Sequence, residues 1–181
     1  MQDFSLHILD VAENSIGAGA KRIEIKIRED IKKDVLTIEI NDDGKGMSQE
    51  MVSKVLDPFV TTRTTRRVGL GLSLFAQAAR ACNGDVHIES ELDKGTRLMG
   101  RFQWSHIDRK PWGSMVDTLI TLIVGNPDID FFYQHKKDGF EYTLDTTMVK
   151  KELEGVAISN PVVVDALKRD LKENLNRIDI N

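Results

Sequence analysis

The stretch from Asp10 to Ile25, DVAENSIGAGAKRIEI, changes its hydrophobic period in the middle, and that change sets the reading of the rest of the chain. Upstream of Gly17 the apolar residues Phe4, Ile8, Val11 and Ala12 recur at three- and four-residue spacing, which is one face of a helix. His7, Asp10 and Asn14 follow each other at the same spacing, so a stripe of three polar side chains runs beside the apolar one. Gly17 and Gly19 end the helix. Downstream the period falls to two: Ile23, Ile25 and Ile27 alternate with charged residues over 22–28, and Leu36, Ile38 and Ile40 alternate over 34–40. These runs read as paired strands with one buried face, joined by a charged turn.

Outward from this core, a turn spans Asp42 to Gly46, and a short helix starts at Ser48 and is stopped by Pro58. Val60 to Val68 is polar and basic. Leu70 to Cys82 predicts a helix rich in small residues, closed by Asn83-Gly84. Asp85 to Ser90 and Thr96 to Trp104 predict a strand pair turning through Asp93-Lys94-Gly95. The order helix, strand, strand, helix, helix, strand, strand describes a two-layer α/β sandwich, with helices on one face of a sheet.

Apolar alternation ceases near His106 to Pro111, which divides the chain into a unit over residues 1–105 and a small α+β extension over 106–181. The extension opens with a helix marked by Val116, Leu119, Ile120 and Ile123, followed by a hairpin whose turn is Asp138-Gly139. That hairpin places Phe131 and Tyr133 on one face with Phe140, Tyr142 and Leu144, a face that needs a cover. A tail helix starts at Pro161 and carries Val164, Leu167, Leu171, Leu175 and Ile178 as a stripe.

Composition narrows the function classes. The chain has 181 residues, 40% hydrophobic and 30% charged, enough apolar residue for a core and too much patterned apolar residue for disorder. The single Cys82 leaves no internal disulfide framework and fits a reducing compartment. The most apolar stretch, Met115 to Val124, is interrupted by polar residues and is about half as long as a membrane span. The amino terminus lacks a secretory pattern, so the expected place is the cytoplasm. A net charge of −4 gives no global electrostatic reason to bind nucleic acid.

Three features carry candidate chemistry. Asp10 and Asn14, four residues apart on a helix, put a carboxylate and a carboxamide on one side: a polar stripe, or a proton acceptor beside a hard oxygen for Mg²⁺. DDGKGM, from Asp42 to Met47, follows a strand directly. It reads either as an Asp-Gly turn or as a carboxylate that accepts from the exocyclic amino group of adenine while Gly44 and Gly46 let the backbone turn closely around a base. VGLGLSLF, from Val68 to Phe75, puts Gly69 and Gly71 at a helix start, where free backbone N–H groups suit a phosphate. Before it lies TTRTTRR, from Thr61 to Arg67, rich in donors for phosphate oxygens. No GxxxxGK[ST] or GxGxxG occurs, which removes the central requirement of P-loop, Rossmann and eukaryotic-type kinase readings.

In this order the motifs resemble the ATP-binding domain of the GHKL superfamily, the Bergerat fold shared by gyrase, the heat-shock chaperone, histidine kinases and MutL. DVAENSIGAGAKRIEI is similar to the N box, with a MutL flavour; DDGKGM resembles the first glycine box; DPFVTTRTTRRVGLGLSL resembles the lid and second glycine box of histidine kinases; GDVHIESELDKGTRL resembles the final box. The resemblance covers nearly all of residues 1–105 and none of 106–181. It implies ATP and Mg²⁺ as cofactors. It implies Asn14 as the Mg²⁺ ligand and Asp10 in the place of the Glu that activates water, one methylene shorter. Asp42 then reads the adenine amino group with support from Thr96, Gly44, Gly46 and Met47 shape the base pocket, and Gly69, Leu70, Gly71 and Leu72 present amides to phosphate. Thr62 and Arg63 on the lid become phosphate partners.

A histidine kinase also needs a phosphoacceptor histidine on a separate helix pair, usually placed before the ATP domain. His7 lies on the nucleotide helix itself, and His87, His106 and His135 stand in strand or linker contexts. The expectation is therefore a module that binds ATP or ADP and phosphorylates a partner protein, as anti-sigma serine kinases of this superfamily do. The alternative is an ATP-dependent conformational switch or weak gyrase- or MutL-type ATPase. Residues 106–181 would pack on the ATP domain, form a homodimer seam or hold a regulated target.

Overall fold

The computed structural model describes residues 3–55 and 71–180. In chain order the elements are α1 (Phe4–Gly17), β1 (Arg22–Asp30), β2 (Val35–Asp42), α2 (Gln49–Val55), α3 (Gly71–Ala81), β3 (Asp85–Glu91), β4 (Gly95–Gln103), α4 (Met115–Gly125), β5 (Asp130–Lys137), β6 (Phe140–Asp145), α5 (Thr146–Glu152) and α6 (Pro161–Ile180). The strands form one six-stranded sheet in the order β3-β4-β2-β1-β5-β6. Every pairing is antiparallel except β1 with β5. The mixed α/β architecture read from residues 1–105 is present, with helices packed over the sheet.

The alternation that predicted β1 and β2 produces the core. Ile23, Ile25 and Ile27 are buried, and Ile25 and Ile27 lie opposite Ile40 and Ile38 across the ladder. Leu98 and Phe102 of β4 continue the same face, and Phe102 meets Phe4 of α1 at 4.9 Å and Phe75 of α3 at 5.5 Å, ring edge to ring face. Each such buried side chain contributes about 1.5–3 kcal/mol. Asp3 starts α1 by accepting from the Leu6 amide at 2.9 Å. At the other end the amides of Ala18, Gly19 and Ala20 turn back onto the last helical carbonyls.

Residues 106–181 add to this sheet. β5 runs parallel to β1 from Arg22–Asp130 to Glu29–Lys137, and β6 returns through Asp138 (φ 44°) and Gly139 (φ 94°), the left-handed pair that a type I′ turn requires. The face carrying Phe131, Tyr133, Tyr142 and Leu144 is buried in the same hydrophobic core as α4 and the Leu167, Leu171, Leu175 and Ile178 stripe of α6. One helix was absent from the sequence reading: α5 begins directly after β6, with Asp145 accepting from the Thr147 amide at 2.9 Å.

Two contacts tie the carboxy-terminal stretch to the first. The Phe4 and Ser5 amides donate to the Pro111 and Trp112 carbonyls, each at 2.9 Å, which fixes the start of α1. At the far end of β1, Glu29 is 3% exposed; one oxygen lies 2.8 Å from His135 Nε2 and the other accepts from Trp104 Nε1 at 2.7 Å. Burial alone would raise the Glu29 pKa, but the His135 and Trp104 hydrogen bonds outweigh it and hold the carboxyl below its ordinary value. Among the described residues, no helix is long and apolar enough to cross a membrane.

Candidate functional site

A cavity of about 1170 Å³ opens between α1, the end of β2, the loop into α2 and the β3–β4 turn. Its wall includes Asp10, Asn14, Asp42, Gly46, Met47, Leu72 and Thr96, so seven of the residues singled out from sequence face one space. Gly44 and Gly71 are not lining residues but adjoin them, Gly44 beside Asp42 and Gly71 beside Asp10. Thr62, Arg63, Gly69 and Leu70 lie outside the described residues.

Asp42 ends β2. Its Oδ2 accepts from the Ser15 hydroxyl at 2.6 Å and its Oδ1 accepts from the Gly44 amide at 2.9 Å. The carboxylate is thereby held from α1 on one side and from its own loop on the other. Neighbouring Asp43 does a different job, accepting from the Lys21 and Arg22 amides at 2.7 and 2.8 Å and anchoring the start of β1. The loop that follows is tied on both sides: the Lys45 amide donates to the Ala18 carbonyl at 3.0 Å, and the Lys45 carbonyl accepts from the Asp93 amide at 2.8 Å.

Glycine is required at Gly46 and Gly95, where a Cβ would overlap the Glu91 and Asp42 carbonyls, and Gly71 leaves room for a neighbouring side chain. Gly46 also has φ +62°. Gly71 begins α3 against α1, and a Cβ there would overlap the Asp10 carboxylate. The N box and the second glycine box therefore meet directly, with an acid at the positive end of an 11-residue helix.

Asn14 lies one helical turn after Asp10. Its Nδ2 is buried and has no hydrogen-bond partner among the described residues. A buried amide with unused capacity on a cavity wall is placed to meet something that enters the cavity. Glu13, turned about 100° around the helix from Asn14, still reaches the rim. The described wall thus carries Asp10, Glu13, Asp42 and Asp93 against the single cation Lys45. His7, the third member of the polar stripe, is buried against Phe75, and that burial lowers its pKa.

Sequence reasoning missed Ser15 and Ser90. Ser15 follows Asn14 on the core side of α1, and only the fold brings it to Asp42, 27 residues away. Ser90 on β3 meets the Met47 amide at 2.8 Å and the Thr96 hydroxyl at 2.9 Å. Thr96 is the register partner of Asp42, and its hydroxyl turns to Ser90.

Comparison with known proteins matches residues 3–106 to the family model described as histidine kinase-, DNA gyrase B-, and HSP90-like ATPase. Sporulation kinase D of Bacillus subtilis is 33% identical over 91 residues, which are 50% of this chain and 18% of that protein. The sensor protein kinase WalK of Staphylococcus haemolyticus is 29% identical over 99 residues, 52% of this chain and 16% of that protein. The chain thus matches less than a fifth of the length of these relatives. Among solved structures, the Aquifex aeolicus MutL ATPase domain complexed with ADP superposes with a TM-score of 0.51 at 18% identity, covering 85% of this chain and 68% of that one. The amino-terminal domain of a DNA repair protein gives 0.54 at 16% identity, covering 80% and 53%. At these identities the structures speak for the fold, which extends past residue 106. With the family model spanning more than half of its length, the chain belongs to the histidine kinase-, DNA gyrase B- and HSP90-like ATPases.

Proposed function

We propose that the cavity binds Mg-ATP and that the chain acts as a regulatory protein kinase module on a partner protein. The carrying observation is Asp42: a carboxylate on the cavity wall, fixed by Ser15 and Gly44, with lone pairs left for an exocyclic amino group. Asn14 fits a Mg²⁺ ligand through its side-chain oxygen on the wall, while its buried Nδ2, unpartnered among the described residues, is a donor for a phosphate oxygen. The acidic wall supports the same reading: a triphosphate beside four carboxylates and one ammonium needs added positive charge. When bound, Mg²⁺ would neutralise phosphate oxygens and fix their orientation. The protein's own part is to hold the base at Asp42, to offer the α3 amides of Gly71 and Leu72, and to place Asp10 as a proton acceptor. Thr62, Arg63, Gly69 and Leu70 complete the proposed phosphate contacts.

The kinase assignment draws on the histidine-kinase relatives and the histidine-kinase-like lid sequence. Calorimetric titration with ATP, with and without Mg²⁺, tests the site; incubation with radiolabelled ATP and candidate partners tests the transfer. Absence of heat at millimolar ATP removes the site, and absence of protein-bound phosphate removes the kinase.

A second reading is favoured by one contact. Pro111 and Trp112 hold the first amides of α1, the helix that carries Asp10 and Asn14. A nucleotide that shifts α1 would move the carboxy-terminal stretch with it, as a switch without phosphoryl transfer. Hydrogen exchange at α4 and α6 that ignores saturating Mg-ATP would remove this version.

A further inference from the structure

Ser90 stands outside the cavity wall, yet its hydroxyl meets three groups that shape the site: the Met47 amide at 2.8 Å, the Gly95 carbonyl at 2.9 Å and the Thr96 hydroxyl at 2.9 Å. A hydroxyl has one proton and two lone pairs. The Met47 amide only donates and the Gly95 carbonyl only accepts. Ser90 therefore gives its proton to Gly95 and one lone pair to Met47. Its second lone pair is left for Thr96, whose proton must point at Ser90. No other assignment makes hydrogen bonds of all three contacts.

The consequence reaches the cavity. Thr96 lines it, and with its proton held by Ser90 it turns lone pairs alone toward a ligand. Directly across the ladder stands Asp42, whose oxygens already accept from Ser15 and Gly44 and have only lone pairs left. That end of the cavity is a pair of acceptors.

We propose that Ser90 is a positioning residue for base selectivity: by holding the Thr96 proton it makes the site favour a 6-aminopurine nucleotide and penalise a 6-oxopurine one. This rests on the nucleotide reading above. An amino group brings N–H donors to both acceptors, whereas a carbonyl oxygen in that place faces lone pairs. Without the Ser90 hydroxyl, the Thr96 rotor is free to turn its proton toward the cavity and satisfy a carbonyl.

The test is calorimetry on the full chain with ATP and with inosine triphosphate, which carries a 6-oxo group in place of the 6-amino group and an N1–H in place of the N1 lone pair, so the readout is the change in their ratio on substitution at Ser90. In Ser90→Ala the preference for ATP, taken as the ratio of the two dissociation constants, falls about tenfold, the worth of one hydrogen bond. Ser90→Thr, which keeps a hydroxyl, restores it. In a Thr96→Val background, adding Ser90→Ala leaves the ratio unchanged. A purely structural role through the Met47 amide would weaken both nucleotides alike. The inference is overturned if Ser90→Ala binds ATP with a ratio within about twofold of wild type, or if the drop persists without the Thr96 hydroxyl. Should Ser90→Ala not fold, Thr96→Val decides alone: loss of ATP affinity with inosine triphosphate unchanged supports the inference, and an equal loss of both overturns it. A wild-type chain that binds neither nucleotide overturns the nucleotide reading and this inference with it. One that binds ATP while the Ser90→Ala ratio stays put overturns this inference only.

Discussion

Replacing Asp42 with Asn separates what that side chain does for the fold from what it does for a ligand. In the protein, Oδ1 accepts from the Gly44 amide, which can only donate, so the Asn oxygen must keep that position. The new amide nitrogen then takes the place of Oδ2, facing Ser15. Ser15 has a second acceptor, the Val11 carbonyl at 3.4 Å, so its proton can turn there while its lone pair receives the amide. The internal cost is therefore about 1 kcal/mol, the worth of one weakened hydrogen bond. In a chain of this length that shifts the melting temperature by about 2–4 °C. A ligand amino group loses more, because a charge-assisted acceptor is replaced by a donor. A loss of about 2–3 kcal/mol corresponds to an ATP affinity about 30- to 150-fold weaker. Calorimetric titration with Mg-ATP and a thermal melt on the same sample read both quantities. Asp43→Asn is the control: its Oδ1 still accepts from Lys21 and Arg22, so both readings should stay close to wild type. An Asp42→Asn protein that binds ATP within about threefold of wild type would refute the assignment. So would one that melts more than about 10 °C lower, since Asp42 would then be a structural residue.

Gly71→Ala should displace the Asp10 carboxylate and cost about 1 kcal/mol, the low end of overpacking, because the Cβ meets the movable end of that side chain. In an Asp10→Ala background the same change should be nearly silent in denaturant titrations; additive effects would show that the two residues do not share that space. Glu29→Gln should destabilise the chain by about 1–3 kcal/mol, because the charge-assisted bonds are lost and the new amide can donate to His135 Nε2 only if the ring proton moves to Nδ1. The sign with pH follows from the direction of the shift. The folded Glu29 pKa is depressed, so its contribution is complete above the ordinary carboxylate range and is lost as pH falls through the folded value. Wild-type stability should therefore fall toward the variant's as acid is added below about pH 4.5, and parallel curves would contradict the pairing. Lys137→Met should release the α6 end, since Lys137 Nζ donates to the Ile178 carbonyl at 2.8 Å. Faster amide exchange confined to the last turns is the expected result; unchanged protection would show that the bond holds nothing.

Much of the site was legible because its residues are close in sequence within each motif. Asp10 and Asn14 share a helix side by spacing alone, and Asp42 to Met47 announce a tight turn at a strand end. Their partners were not legible. Nothing local marks Ser15 as the Asp42 donor, because it sits on the helix face that sequence assigns to the core. Ser90 reads as an unremarkable strand residue until the β3–β4 hairpin brings its hydroxyl within 2.9 Å of that of Thr96. Glu29, a charged residue in an alternating strand, gives no sign that it is buried; β5, more than a hundred residues later, covers it with His135.

Local patterning determined the two periodicities, the order of elements through residue 105, the Asp138-Gly139 turn and the candidate acids and amides of the N box and first glycine box, because each depends on spacing within one element. Tertiary structure decided that β5 docks parallel to β1, that α4 and α6 cover the face left open by the hairpin, and that seven of the sequence-selected residues line one cavity. These are long-range juxtapositions. Sheet neighbours and cavity walls are chosen by which buried faces fit together across the whole chain, and no window of sequence contains both halves of such a contact.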